Sequence, residues 1–177
     1  QVDDLLELAR EAAVLTFDHE HAPPEVLDRV ESEGVKLVPS AQAKLLAQDK
    51  LHARQRLSEL GFPVPPFVHV RSVGEVVDFA SGHGWPLIAK STSGGYDGKG
   101  VWELEDEAAL DQLDPRLMDA GLLIEPKLPL DCELSVVVAR STSGETVAFP
   151  VAETVQRNAM CREILVPAPV SGELSHE

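Results

Sequence analysis

Residues 3–13 (DDLLELAREAA) carry apolar side chains at helical spacing with acidic residues at the start, where the helix dipole favours them, and they predict a helix. Residues 14–17 then read as a short buried strand. The order repeats: a proline-initiated helix over 24–33 stopped by Gly34, a strand over 36–38, and Pro39-Ser40 leading into a helix over 41–46. Helix and strand alternating in this way is the α/β pattern. A further helix over 49–60 closes at Gly61, and the run Phe62-Pro63-Val64-Pro65-Pro66 excludes helix, so it marks the best domain boundary. Beyond it the pattern predicts a strand over 67–70, a helix over 72–81 and a strand over 87–90. A polar loop over 91–100 leads to a strand over 101–104. An acidic helix over 107–113 follows, then strands over 122–125, 133–139 and 146–150, the last two joined by a turn at Ser143-Gly144. So many strands with few helices make this half α+β.

The chain has 177 residues, 44% of them hydrophobic, enough for one ordinary domain or two small ones with a real core. Fifteen Lys and Arg against 30 Asp and Glu leave a net charge of −15, which argues against nucleic acid as a partner. A small anionic ligand remains allowed, because a few lysines and backbone N–H groups set a local potential of their own. Cys132 and Cys161 have no CxxC partner, which fits a reducing compartment and ordinary thiols rather than a disulfide or zinc framework. No apolar run approaches the roughly 18 residues of a spanning helix, so a cytoplasmic protein with no membrane partner is expected. The chain opens with Gln1 inside a predicted helix, and the expectation is that the start of the natural protein is missing.

Candidate chemistry concentrates in Lys90-Ser91-Thr92-Ser93-Gly94-Gly95-Tyr96-Asp97-Gly98-Lys99-Gly100. Glycines and small hydroxyl residues let consecutive backbone N–H groups approach phosphate oxygens without obstruction, and Lys90 at a strand end would add a compact positive charge. The string is neither a Walker A motif nor GxGxxG after a first strand, and a plain hairpin loop is the alternative. Leu123-Ile124-Glu125-Pro126-Lys127-Leu128 is a buried strand ending in a carboxylate and a lysine, able to offer backbone groups to a purine edge or simply to end in a turn. In Cys132-Glu133-Leu134-Ser135-Val136-Val137-Val138-Ala139-Arg140, Glu133 is either a solvated rim residue or an acceptor for ribose hydroxyls.

The order and spacing of these three features resemble the ATP-grasp superfamily. Within it, GGYDGKG, ELSVVVAR, Thr16-Phe17-Asp18-His19-Glu20-His21, Val38-Pro39-Ser40, Phe149-Pro150 and Pro167-Ala168-Pro169 resemble the 5-(carboxyamino)imidazole ribonucleotide synthetase family, over residues 15–170. The resemblance implies the end of a Rossmann-like N-terminal domain and a connecting helix over 1–60. Residues 61–177 would form the lid subdomain and the start of the larger ATP-binding subdomain of an ATP-grasp domain, whose C-terminal part is missing. It also implies a carbon–nitrogen ligase of purine synthesis, typically dimeric, that uses ATP and Mg to phosphorylate bicarbonate and carboxylates 5-aminoimidazole ribonucleotide.

Carried over by residue, Lys50 and Lys90 match positions at the ATP phosphates. Gly94, Gly95, Gly98, Lys99 and Gly100 match the loop that closes over them. Glu125, Lys127 and Leu128 match the adenine-reading segment, and Glu133 the ribose carboxylate. Tyr96, Asp97 and Glu20 match contacts to the ribonucleotide, although Glu20 beside His19 and His21 also reads as a solvated carboxylate. Gln156 stands nearest the place of a family histidine, and an amide cannot supply its charge. No Mg ligand falls within the chain; the ligands are expected beyond Glu177, and the chain alone is expected not to turn over. The rival readings are another ATP-grasp ligase or carboxylase, and a noncatalytic nucleotide-binding domain.

Overall fold

The computed structural model describes residues 2–18, 22–95, 99–157 and 160–172, and the chain divides into two compact units, 1–95 with 100–127, and 96–99 with 128–177. In the first unit, helix α1 (Val2–Glu11), α2 (Pro24–Ser32) and α3 (Ala41–Gln48) surround a small core of Leu15, Leu27, Val30, Leu37 and Ala41. The two strands expected at 14–17 and 36–38 reduce to one parallel bridge, Leu15 with Leu37, held by Leu15 N–H to Lys36 O at 3.0 Å and Val38 N–H to Leu15 O at 2.9 Å. Their parallel sense, with α2 between them in the chain, is still the α/β arrangement.

Asp49 ends α3 and starts α4 (Lys50–Glu59), its carboxylate accepting from His52 N–H at 2.7 Å, as an N-cap should. After the proline-rich segment come β1 (Val68–Val70), α5 (Val73–His83), β2 (Leu87–Ser91), β3 (Val101–Leu104), a 3-10 helix (Glu107–Gln112), α6 (Arg116–Ala120) and β4 (Leu122–Pro126). Ser72 caps α5, and Glu75 turns back to accept from Arg71 N–H at 2.7 Å and from the Ser72 hydroxyl at 3.0 Å, which lowers its pKa. The segment 107–113 is a 3-10 helix rather than the expected α-helix. Its run of six residues, with Leu110 its buried side chain, gains little from a longer ladder. The five-residue α6 is too short for periodicity to reveal.

The four strands form one antiparallel sheet in the order β1-β4-β2-β3. Strand alternation sorts its side chains. Val70, Leu87, Ala89, Leu104, Leu122 and Ile124 pack under Val76 and Ala80 of α5, Leu110 and Leu113, and Met118 of α6. The opposite face carries Ile88, Lys90, Glu103, Leu123 and Glu125, since Ile88 pairs with Glu103 and Glu125, and Lys90 with Leu123. At Gly121, between α6 and β4, φ is +88°, a conformation that calls for glycine, and an added Cβ would push against the tip of the His69 side chain.

The second unit holds a three-stranded antiparallel sheet, β5 (Leu134–Ser135), β8 (Ala152–Arg157) and β9 (Met160–Leu165), and a hairpin of β6 (Val138–Arg140) with β7 (Thr146–Ala148). The single strand expected over 133–139 is thus two. Its first part bonds to β8 and its second to β7, and an alternating pattern specifies a face but not a partner. Among the described residues no helix is long and apolar enough to cross a membrane.

Candidate functional site

On the charged face of the four-stranded sheet, Glu125 is only 2% exposed, and two cations reach its carboxylate. Lys90 Nζ pairs with Oε2, and Arg54 Nε from α4 pairs with Oε1 while its Nη2 lies 3.4 Å from Oε2. Burial alone would raise the Glu125 carboxyl. The hydrogen bonds and charges of Arg54 and Lys90 outweigh it, and its pKa lies below the ordinary glutamate value. One strand end away, Lys127 pairs with Glu103 of β3, while its N–H donates to Pro86 O at 3.0 Å.

The glycine loop begins where β2 ends. Ser91 N–H donates to Gly100 O at 2.8 Å and closes the loop's mouth. Gly100, at φ +79°, is closely packed: an added Cβ would meet Ser91 Oγ at 3.0 Å and Gly95 Cα at 3.2 Å, and these neighbours would have to give way by a few tenths of an ångström. Gly94 is also left-handed, at φ +74°. Lys50 N–H, at the first turn of α4, donates to Thr92 O at 2.7 Å, so the positive end of a helix dipole sits at the loop base. Lys50, Lys90, Gly94, Gly95, Gly100, Glu125 and Lys127 therefore gather within one unit. The β1 ladder stops at the Val68–Ile124 pair, leaving residues 125 and 126 paired on the β2 side alone. That edge can hydrogen-bond a planar ligand through its backbone.

Lys99, Leu128, Glu133 and Gln156 belong to the second unit. Glu133 is exposed, its carbonyl accepting from Thr154 N–H at 2.9 Å, and Gln156 lies at the irregularity in β8 opposite Cys161. Glu20, Tyr96, Asp97 and Gly98 lie outside the described residues. Sequence reasoning missed Arg54 and Glu103. Arg54 had one available signal, its position four residues after Lys50 on the same helical face.

Comparison with known proteins bears on this arrangement. The model of the ATP-grasp domain matches residues 55–177. The N5-carboxyaminoimidazole ribonucleotide synthase of Corynebacterium ammoniagenes is 44% identical over 169 residues, 94% of this chain and 41% of that protein. The chain thus spans about two fifths of the length of the curated relatives it matches. Among solved structures, an ADP complex of purK, N5-carboxyaminoimidazole ribonucleotide synthetase, is 31% identical with a TM-score of 0.90, covering 99% of this chain and 46% of that one. The Aspergillus clavatus synthase in complex with ADP and 5-aminoimidazole ribonucleotide is 26% identical with a TM-score of 0.85, covering 99% and 46%.

Proposed function

The chain belongs to the ATP-grasp domain family, and from that premise we propose that it is the nucleotide-binding part of an ATP-dependent carbon–nitrogen ligase that carboxylates 5-aminoimidazole ribonucleotide with bicarbonate. The observation that carries this reading is the extent of the likeness to the ribonucleotide synthases, which takes in 94% of the chain and so the segment before α4 as well as the nucleotide-binding sheet and loop. The protein would work as a cytoplasmic homodimer.

In this reading a bicarbonate oxygen attacks the γ-phosphorus of ATP and ADP leaves. The resulting carboxyphosphate breaks down to CO2 and phosphate, and the exocyclic amine of the ribonucleotide attacks CO2 and sheds a proton, forming the carbamate. Such phosphoryl transfer asks for positioning and charge neutralisation rather than covalent help. Lys90 and Lys50 supply charge at the phosphates, and the loop from Gly94 through Gly98, Lys99 and Gly100 supplies N–H groups. Glu125, Lys127 and Leu128 present the backbone edge to adenine, and Glu133 accepts from the ribose. Gln156 donates a hydrogen bond without charge. Tyr96 and Asp97, with Glu20, orient the ribonucleotide. Magnesium would neutralise phosphate charge in chemistry of this class. Among the described residues no group of three or more His, Cys, Asp or Glu gathers to hold a metal ion.

The test is ADP formation by the protein that carries this chain, with ATP and bicarbonate, in the presence and absence of the ribonucleotide. Carbamate should appear in step with ADP. Asp97→Asn should raise the ribonucleotide concentration needed for half-maximal rate by about tenfold or more while ADP binding is retained, as expected for loss of one charge-assisted contact to that substrate. ADP formation indifferent to the ribonucleotide but stimulated by another amine acceptor would overturn the substrate assignment.

A further inference from the structure

Lys90 is required at the phosphates in the reading above, yet its Nζ is engaged by Glu125. A carboxylate this deeply buried cannot be left unpaired, so a lysine that were its sole partner would be held in place by the cost of leaving it. Arg54 changes that balance. Its guanidinium reaches both oxygens, Nε at Oε1 and Nη2 at 3.4 Å from Oε2, whereas Lys90 contacts Oε2 alone. The fork geometry of arginine is suited to such two-point pairing, and a point-charge ammonium is not. Two cations against one carboxylate also leave the group with one net positive charge, in surroundings where Arg54 and Lys90 side chains are 27% and 23% exposed.

We propose that Arg54 is a positioning residue of the nucleotide site: it satisfies the Glu125 carboxylate from α4, and so frees Lys90 to exchange its carboxylate contact for a phosphate oxygen. The inference rests on the nucleotide-site reading given above and adds to it a residue outside the glycine loop. The helix is tied for this task at both places. Lys50 N–H holds its first turn to Thr92 at the loop base, and one turn later Arg54 lands on the sheet. The triad therefore couples the loop base, the helix and the strand that would face the base.

The experiment measures dissociation constants of ADP and of adenosine for the purified protein by calorimetry, with circular dichroism to verify folding. Arg54→Gln should weaken ADP by about tenfold or more, since Lys90 is then held by an otherwise unpaired carboxylate, and should leave adenosine within about twofold because adenosine brings no phosphate. Adding Glu125→Gln should restore most of the ADP affinity, because the group competing for Lys90 has gone. A purely structural Arg54 would lower both ligands together and would not be rescued, and either result overturns the proposal. Lys90→Gln separates it from the reading it rests on. If Lys90→Gln weakens ADP and Arg54→Gln does not, only the role of Arg54 falls; if Lys90→Gln has no effect, the nucleotide site itself is misplaced. Should Arg54→Gln fail to fold, the double variant decides: ADP affinity near that of the unaltered protein supports the proposal, and a tenfold loss overturns it.

Discussion

The four-stranded sheet and the strands after residue 128 are built with the same antiparallel bonding and reach opposite degrees of burial. In the first, Leu87, Leu122, Leu123 and Ile124 are at most 1% exposed. In the second no described residue is buried, and Val137, Val147 and Ile164 are all more than 60% exposed. The difference lies in cover. Helices α5 and α6 and the 3-10 helix lie on one face of the first sheet, and α4 reaches the other through Arg54. Within this chain, which spans about two fifths of its relatives' length, ladder bonds set the shape of both regions, and burial of apolar surface adds to them in the first. The same cover makes the first sheet able to hold a buried carboxylate and its cations in fixed geometry, which a candidate nucleotide site needs.

The largest effect that would break this contrast is on stability. Leu122→Ala should cost about 2–5 kcal/mol, the usual range for a fully buried leucine, whereas Ile164→Ala should cost less than about 0.5 kcal/mol. Urea unfolding of the two variants provides the comparison. Equal losses would mean that the later strands are covered as well as the first sheet is.

A smaller effect, confined to acid, concerns Glu125. Its folded pKa lies below the ordinary value because the Arg54 and Lys90 contacts outweigh the effect of burial. The unfolded chain therefore binds more protons in the window between the two values, and stability there rises with pH. The contribution is complete above the unfolded value of about 4.3 and is lost as pH falls through the folded one. Urea midpoints followed from about pH 6 down to about pH 3 should fall less steeply in Glu125→Gln than in the unaltered protein, and parallel curves would show that the carboxylate is not ionised and paired as described.

How far these features were legible in the sequence follows from how local their signals are. Pro24 marks the start of α2, and Gly34, Gly61 and the run of prolines from Pro63 mark the stops of α2 and α4, by backbone chemistry alone, and the structure bounds these helices there. Short apolar runs at 87–90, 101–104 and 122–125 became β2, β3 and β4 for the same reason. The hairpin of β8 and β9 carries no such signal, since Glu153, Thr154, Gln156, Arg162 and Glu163 break any apolar alternation. Lys90 and the glycine loop are contiguous, so they stood out. Arg54 lies 71 residues from Glu125, and only the docking of α4 on the sheet brings the two together. A residue that acts through a partner so distant in sequence leaves no spacing to recognise.

The smallest expected effect tests whether an ion pair in the later strands resembles the Glu125 group. Arg157 Nη2 and Glu163 Oε1 lie 2.6 Å apart across the β8–β9 ladder, closer than many pairs that matter, but the side chains are 66% and 52% exposed. Water solvates both charges whether or not they meet, and holding two long side chains in one geometry costs rotamer freedom that the attraction barely offsets. Glu163→Gln should therefore lower stability by less than about 1 kcal/mol at low ionic strength. In roughly 1 M salt, where the screening length falls to about 3 Å, the difference should vanish. Glu125 differs in that its partners replace water it has lost, so salt should reach that group far less. The measurement is urea unfolding of Glu163→Gln and the unaltered protein at both salt concentrations. A loss that survives high salt would mean that these strands shield their charges from solvent, and the contrast between the two regions would then have to be drawn from packing alone.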